Sequence, residues 1–87
     1  MTTDVNLKDI KPTVTVDARG TYCPGPLMEL IKEMRQQPVG AIIELISGDA
    51  GTAKDVPEWL NKVHQEFLGV IDETGYWRIF SKKVKEM

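Results

Sequence analysis

The sequence predicts an α/β two-layer sandwich in which a four-stranded mixed sheet carries two helices packed on one face. Three observations lead to this prediction: a length of 87 residues, apolar segments typical of strands, and two segments with helical apolar spacing between them. A chain of this length holds one hydrophobic core. The predicted order is β-α-β-α-β-β, and right-handed crossovers place both helices on the same side of the sheet.

The first predicted strand follows an N-terminal leader. Residues 1–12 show little periodicity, which predicts a flexible leader and a folded domain over residues 13–87. From Thr13 to Ala18 polar and apolar residues alternate and several are β-branched, as in a strand with one buried face.

The first helix is predicted to begin near Cys23, where Pro24 and Pro26 end the strand. Apolar residues then recur at i, i+3, i+4 and i+7 and form a stripe: Leu27, Leu30, Ile31 and Met34. Pro38 and Gly40 close the helix.

A central strand is predicted from Ala41 to Ile46, because this segment is almost wholly apolar. In one register, Ile43 and Leu45 face the helices. Ile42 and Ile46 then point to the uncovered face, where they would form an apolar docking surface. The reversed register is the alternative.

The second helix is predicted from Thr52 to Phe67, with Gly69 as the residue after its C-cap. Thr52 and Asp55 compete as its N-cap, since each is followed by an acidic residue at capping-box spacing.

A hairpin is predicted to complete the sheet. Its strands are Gly69–Asp72 and Tyr76–Lys82, and residues 73–75 form a loop with glycine where a positive φ is expected. Three lysines near the end of the chain predict a solvated basic tail or, alternatively, a docking patch: Lys82, Lys83 and Lys85.

Composition excludes several classes of function. The net charge of −2 argues against broad nucleic-acid binding. No apolar run approaches the roughly 18 residues of a membrane span, and the N-terminus lacks a secretory signal, so the expected location is the cytoplasm. One cysteine and one histidine allow neither a disulfide nor a tetrahedral zinc site within the chain. No metal and no cofactor is expected.

The cysteine is the candidate for chemistry. Cys23 opens the first predicted helix in the tetrapeptide Cys23-Pro24-Gly25-Pro26. At a helix N-terminus, unpaired backbone N–H groups and the helix dipole favour the thiolate, which is the nucleophilic form. Pro24 and Pro26 rigidify the turn, Gly25 allows close approach to the sulfur, and Arg19 adds positive potential. The alternative is a small buried residue at a strand-to-helix corner.

Asp49 and Lys54 are the expected neighbours of the cysteine, because loops that follow adjacent parallel strands gather at one edge of a sheet. Helix capping and solvation are the alternative roles for these two residues. His64 lies in the second predicted helix, far from its N-terminal end, so a Cys–His catalytic pair is not expected.

Two blocks of the sequence resemble the TusA/SirA-like sulfur carriers. The first is the Cys-Pro-x-Pro motif after Asp17-Ala18-Arg19-Gly20, and the second runs from Gly48-Asp49 to the segment Lys54-Asp55-Val56-Pro57, with an aromatic at Trp59. The resemblance covers residues 14–83. Where members of that family often have His-Glu near the end of the second helix, this chain has Gln65-Glu66, so no role is transferred there.

The resemblance implies a sulfur carrier whose Cys23 accepts a sulfane sulfur as a persulfide and passes it to an acceptor protein. The implied donors are a cysteine desulfurase or a rhodanese, and the implied acceptor is a DsrE-like or other relay protein. Such relays serve tRNA thiolation, molybdenum-cofactor synthesis or sulfur oxidation. By the same resemblance, Lys54 assists binding of anionic sulfur or a partner.

Two alternatives differ in class. One is a regulatory or protein-interaction domain of the same fold, in which Cys23 is incidental and its thiol pKa stays near 8.5. The other is nucleic-acid binding by a small α/β sheet, which the acidic balance disfavours. Handling of selenium instead of sulfur is also open.

Overall fold

The computed structural model describes residues 10–20 and 25–86. The predicted leader 1–12 therefore lies mostly outside the described residues. The order of elements is the predicted one: β1 (Val14–Asp17), α1 (Gly25–Gln36), β2 (Ile42–Ser47), α2 (Ala50–Lys62), β3 (Glu66–Glu73) and β4 (Tyr76–Lys82).

The four strands form one mixed sheet in the order β1-β2-β4-β3. β1 and β2 are parallel, and β4 runs antiparallel to both of its neighbours, β2 and β3. α1 connects β1 to its neighbour β2. α2 connects β2 to β3, and β4 lies between these two strands in the sheet. The predicted α/β sandwich is confirmed.

The hydrophobic core lies between the helices and one face of the sheet. β2 contributes Ile43 and Leu45, both with no exposed surface, as the predicted register requires. The other fully or almost fully buried members come from both helices, β4 and the end of β1: Ala18, Leu30, Met34, Val56, Leu60 and Ile79. The apolar stripe predicted for the first helix therefore supplies its core contacts.

The second helix differs from its prediction at both ends. Its N-cap is Asp49, whose carboxylate accepts from the Gly51 N–H at 3.0 Å, so the predicted caps Thr52 and Asp55 are wrong. α2 ends at Lys62, not at Phe67, because His64 adopts a φ of 62° and reverses the chain.

The reversal at His64 is a Schellman motif. The Gln65 N–H donates to the Leu60 carbonyl at 2.9 Å, and the His64 N–H donates to the Asn61 carbonyl at 3.4 Å. Histidine thus occupies the left-handed position that was predicted for Gly69. Gly69 instead lies in β3 at a register shift, with a φ of 149°.

The predicted basic tail is exposed at Lys85 only: Lys82 is half-buried at the end of β4, and the Lys83 side chain is 2% exposed. Its ammonium donates to the Gln37 carbonyl at 2.7 Å, just beyond the end of α1, and its backbone N–H donates to the Ala41 carbonyl at 2.9 Å. The lysine therefore satisfies an orphan carbonyl at the C-terminus of the first helix.

The sheet face away from the helices carries a polar network instead of the expected apolar docking surface. Ile42 and Ile46 lie on this face as predicted and are half-buried. Between them lies Glu44, which accepts from the Thr15 hydroxyl at 2.9 Å and from the Arg78 guanidinium at 2.5 Å.

Arg78 lies in β4 and extends this network to Glu73 in β3. A second guanidinium nitrogen lies 3.4 Å from the Glu73 carboxylate, and the guanidinium carbon lies 5.4 Å from the centre of the Phe80 ring. The network therefore joins one residue from each of the four strands.

Replacing His64 by glycine should stabilise the fold. A left-handed conformation costs an L-residue about 1–2 kcal/mol and costs glycine almost nothing. We expect His64→Gly to raise the free energy of unfolding by about 1 kcal/mol in urea denaturation. His64→Ala is the control, since alanine keeps the steric cost; an equal gain in both variants would contradict the explanation.

Removing Arg78 should destabilise the fold more than removing both partners of its ion pair. The Glu44 side chain is 7% exposed, so Arg78→Met leaves a buried carboxylate unpaired, at a cost of about 3 kcal/mol. We expect Glu44→Gln to restore part of this loss in the Arg78→Met background, measured by a double-mutant cycle in urea. The exposed pair of Arg19 with Asp17 is the matched control: Arg19→Met should lower the free energy of unfolding far less than Arg78→Met does.

Candidate functional site

The candidate site lies where the parallel strands β1 and β2 end, an edge of the sheet that we call the carboxyl edge. It comprises residues 17–20, from the last residue of β1 onward, and residues 47–49, from the last residue of β2 onward. The Ala18 N–H donates to the Ile46 carbonyl at 2.8 Å and so continues the parallel pairing to this edge. The next element after each of these strands is a helix, so both helix N-termini lie at the same edge.

The predicted nucleophile and the residue after it, Cys23 and Pro24, lie outside the described residues. They belong to the four-residue segment that joins Gly20, at the carboxyl edge, to Gly25, where α1 begins. Pro26 is fully buried in the first turn of α1, and Gly25 is half-buried. The roles predicted for the four residues of the motif remain predictions.

Arg19 lies at the carboxyl edge, and its guanidinium binds Asp17. Its Nε donates to one carboxylate oxygen of Asp17 at 2.9 Å and its Nη2 donates to the other at 2.7 Å. The Arg19 backbone N–H also donates to Asp17, at 3.1 Å. One carboxylate thus holds both the main chain and the side chain of the residue predicted to stabilise the thiolate.

The ring of Tyr76 lies beneath the same guanidinium, with its centre 5.2 Å from the central carbon of Arg19. Tyr76 is the first residue of β4, so Arg19 reaches past the end of β2 to the second strand from its own. Sequence reasoning missed both Asp17 and Tyr76. For Asp17 a sequence signal was available: residues two apart in a strand point to the same side, which places the carboxylate of Asp17 beside the side chain of Arg19.

Asp49 also lies at the carboxyl edge, where it caps α2. Its backbone N–H donates to the Ser47 hydroxyl at 3.0 Å, and its carbonyl accepts from the Thr52 N–H at 3.0 Å. The structure thus places Asp49 in the capping role that the sequence left as an alternative.

Lys54 is exposed in the second turn of α2, on the helix that Asp49 caps. His64 is exposed at the other end of that helix, about 20 Å from Asp49 for 13 helical residues. The structure therefore separates His64 from the carboxyl edge, in agreement with the sequence prediction.

Charge on the edge is largely compensated locally. The hydrogen bond from the Arg19 side chain, followed by that from its backbone N–H, lowers the pKa of Asp17 from 3.8 to about 2. In the same pair, the Asp17 carboxylate raises the pKa of Arg19. Among residues 10–20 and 25–86, no group of three or more metal-binding side chains is found, and neither helix is long and apolar enough to cross a membrane.

Comparison with known proteins gives a consistent result. The family model described as Sulfurtransferase TusA matches residues 14–83. A chain from Archaeoglobus fulgidus, provisionally named a sulfur carrier protein, is 54% identical over 72 residues, which are 83% of this chain and 99% of that one. Sulfur carrier protein TusA of Pseudomonas entomophila is 34% identical over 74 residues, which are 82% of this chain and 92% of its own.

A solved structure supports the fold. The crystal structure of a SirA-like protein from Desulfitobacterium hafniense superposes with a TM-score of 0.73, covering 83% of this chain and 99% of that one, at 14% identity. This similarity concerns the fold alone.

The pairing of Arg19 with Asp17 should be visible in the titration of the carboxylate. We expect the Asp17 side-chain carbon, followed by NMR, to titrate near pH 2, and Arg19→Gln to return its pKa toward 3.8. Because the folded-state pKa is lowered, the pair stabilises the fold above about pH 4, and this contribution is lost as the pH falls toward 2. A wild-type pKa that stays near 3.8 would show that the pair does not form in solution.

Proposed function

Because the chain belongs to the Sulfurtransferase TusA family, whose members include named sulfur carriers, we propose that Cys23 accepts a sulfane sulfur as a persulfide and transfers it to an acceptor protein. The observation that carries this proposal is the match of the family model over residues 14–83, which include the Cys23-Pro24-Gly25-Pro26 motif. A sulfur carrier interacts with a donor protein and an acceptor protein. We propose a cysteine desulfurase or rhodanese as the donor and a DsrE-like relay protein as the acceptor.

The proposed reaction exchanges one sulfur–sulfur bond for another. The Cys23 thiolate attacks the outer sulfur of the donor's cysteine persulfide, a bond forms between these sulfurs, and the donor's own sulfur–sulfur bond breaks. The donor cysteine leaves as a thiolate, so no external oxidant or reductant is consumed. The same exchange in the second step moves the sulfur to the acceptor and regenerates the Cys23 thiolate.

The architecture is suited to this exchange in two ways. The chain that contains Cys23 leads directly into α1, whose first backbone N–H groups favour an anion near the N-terminus. The sequence also contains one cysteine only. A second thiol in the chain would attack the persulfide and release sulfide before transfer.

Lys54 and Asp49 have different roles in this proposal. Lys54 is exposed on the helix that begins at the carboxyl edge, and we assign it to contact with anionic sulfur or with a partner. Asp49 acts by holding the N-terminus of that helix. The cytoplasmic location predicted from the sequence is part of the proposal.

The test is intact-mass spectrometry of the reduced protein after incubation with a cysteine desulfurase and cysteine. We expect a mass gain of one sulfur atom that a reductant removes and that is absent in Cys23→Ala and Cys23→Ser. Far-UV circular dichroism of these variants should match that of the wild type, since the described core is built from residues of both helices and the sheet and the two replacements are close to cysteine in size.

Thiosulfate with a rhodanese is the second donor in this test. Loading of Cys23→Ser, or failure of the wild type to accept sulfur from both donors, would contradict the proposal. Failure with both, together with a Cys23 pKa near 8.5 by alkylation, would favour the interaction-domain alternative.

A further inference from the structure

The paired side chains of Arg19 and Tyr76 form an exposed feature of the carboxyl edge that the proposed sulfur chemistry does not use. The Arg19 side chain is 51% exposed although it lies over an aromatic ring and binds a carboxylate. Arginine and tyrosine are enriched among the residues that dominate the binding energy of protein interfaces. Their position at this edge raises the question of what they bind.

The arrangement holds the guanidinium in one orientation before any partner arrives. Asp17 takes Nε and Nη2 in a bidentate pair, and the Tyr76 ring supports the guanidinium from below. Within the described part of the chain, the third guanidinium nitrogen, Nη1, donates to no acceptor. A planar donor edge held in this way loses little conformational entropy when it binds, which favours affinity.

The local charge indicates which property of Arg19 a partner would recognise. Asp17 neutralises the guanidinium, and it remains ionised because its pKa is lowered to about 2. Long-range attraction of an acidic protein is therefore weak at this position. Short-range hydrogen bonding of the outer guanidinium edge to a carboxylate remains available, because such bonds depend on contact geometry.

We propose that Arg19, held by Asp17 and Tyr76, is a docking contact for the sulfur-donor protein and binds a carboxylate on its surface. This inference rests on the proposed function, because it assigns part of the surface through which that donor is recognised. Asp17 and Tyr76 act as positioning residues for Arg19.

The experiment compares two sulfur donors. One is a protein, a cysteine desulfurase with cysteine, which must dock; the other is inorganic polysulfide, which transfers a sulfane sulfur without a protein surface. We expect Tyr76→Leu and Asp17→Asn to raise KM for loading by the desulfurase about five- to tenfold, and Tyr76→Leu to leave kcat and the polysulfide rate unchanged. For Arg19→Ala we compare kcat/KM for loading by the desulfurase with kcat/KM for loading by polysulfide, and we expect the first divided by the second to fall about tenfold. Arg19→Lys should show the same loss, because lysine lacks the planar guanidinium.

Asp17→Asn separates preorganisation from simple charge. This variant makes the edge more positive, so attraction of an acidic donor by charge alone would lower KM. A higher KM is expected if the bidentate pair orients Arg19, and a lower KM would overturn the proposal.

Matched controls lie at the opposite end of the molecule. Arg35 is exposed in the last turn of α1, and Phe67 is 39% exposed in β3, opposite Ser81 and away from the hairpin turn. Arg35→Ala and Phe67→Ala should leave KM for the desulfurase unchanged. Equal effects at these positions, or an unchanged KM in Tyr76→Leu and Arg19→Ala, would overturn the assignment.

The two donors also distinguish failure of this inference from failure of the proposed function. If polysulfide and the desulfurase both load the wild type and the variants equally, the docking role is wrong and the carrier function stands. If neither donor loads the wild type, the carrier function fails and this inference fails with it.

Discussion

The parallel pairing of β1 with β2 is the constraint on which the candidate site depends. Hydrogen bonds from Thr13 to Ile42 and from Ala18 to Ile46 fix this pairing at both ends of the short first strand. Two parallel strands end at the same edge, so the helices that follow them also begin there. Arg19 and Asp49 are 30 residues apart in the sequence and are brought to one edge by this pairing. An antiparallel arrangement would have put the two helix N-termini at opposite ends of the domain.

The sheet uses its two faces for different purposes. One face contributes Ile43, Leu45 and Ile79 to the core, where burial of apolar surface favours folding. The other face carries the network of Thr15, Glu44, Arg78 and Glu73, whose members come from four different strands. A shift of one residue in any strand would move its network member to the core face, so both faces favour the same register. The burial of Glu44 is tolerated because both of its oxygens accept hydrogen bonds.

The sequence was sufficient to predict the class of fold and the order of elements, since these follow from local periodicity. It left two alternatives for the register of β2, and the burial of Ile43 and Leu45 decides between them. The hairpin was predictable from Gly75, which has a φ of 90°. The end of α2 was not, because His64 adopts a left-handed conformation that residues other than glycine seldom adopt, within the Schellman motif that ends the helix. The burial of Lys83 and the contact of Arg19 with Tyr76 depend on residues distant in sequence, so composition and spacing did not reveal them.

The contacts of Arg19 bear on how a sulfur carrier balances its two transfer steps. From the sequence, the guanidinium was available to stabilise an anionic sulfur, but in the structure Asp17 holds it on the exposed edge. A carrier must release its sulfur as readily as it accepts it, and strong stabilisation of the bound persulfide would slow the second step. Charge compensation by Asp17 would moderate the stabilisation of an anionic sulfur that is predicted for Arg19 and for the backbone N–H groups of α1. The energy that selects a partner can then come from docking contacts, which are broken when the partner leaves and do not alter the sulfur–sulfur exchange itself.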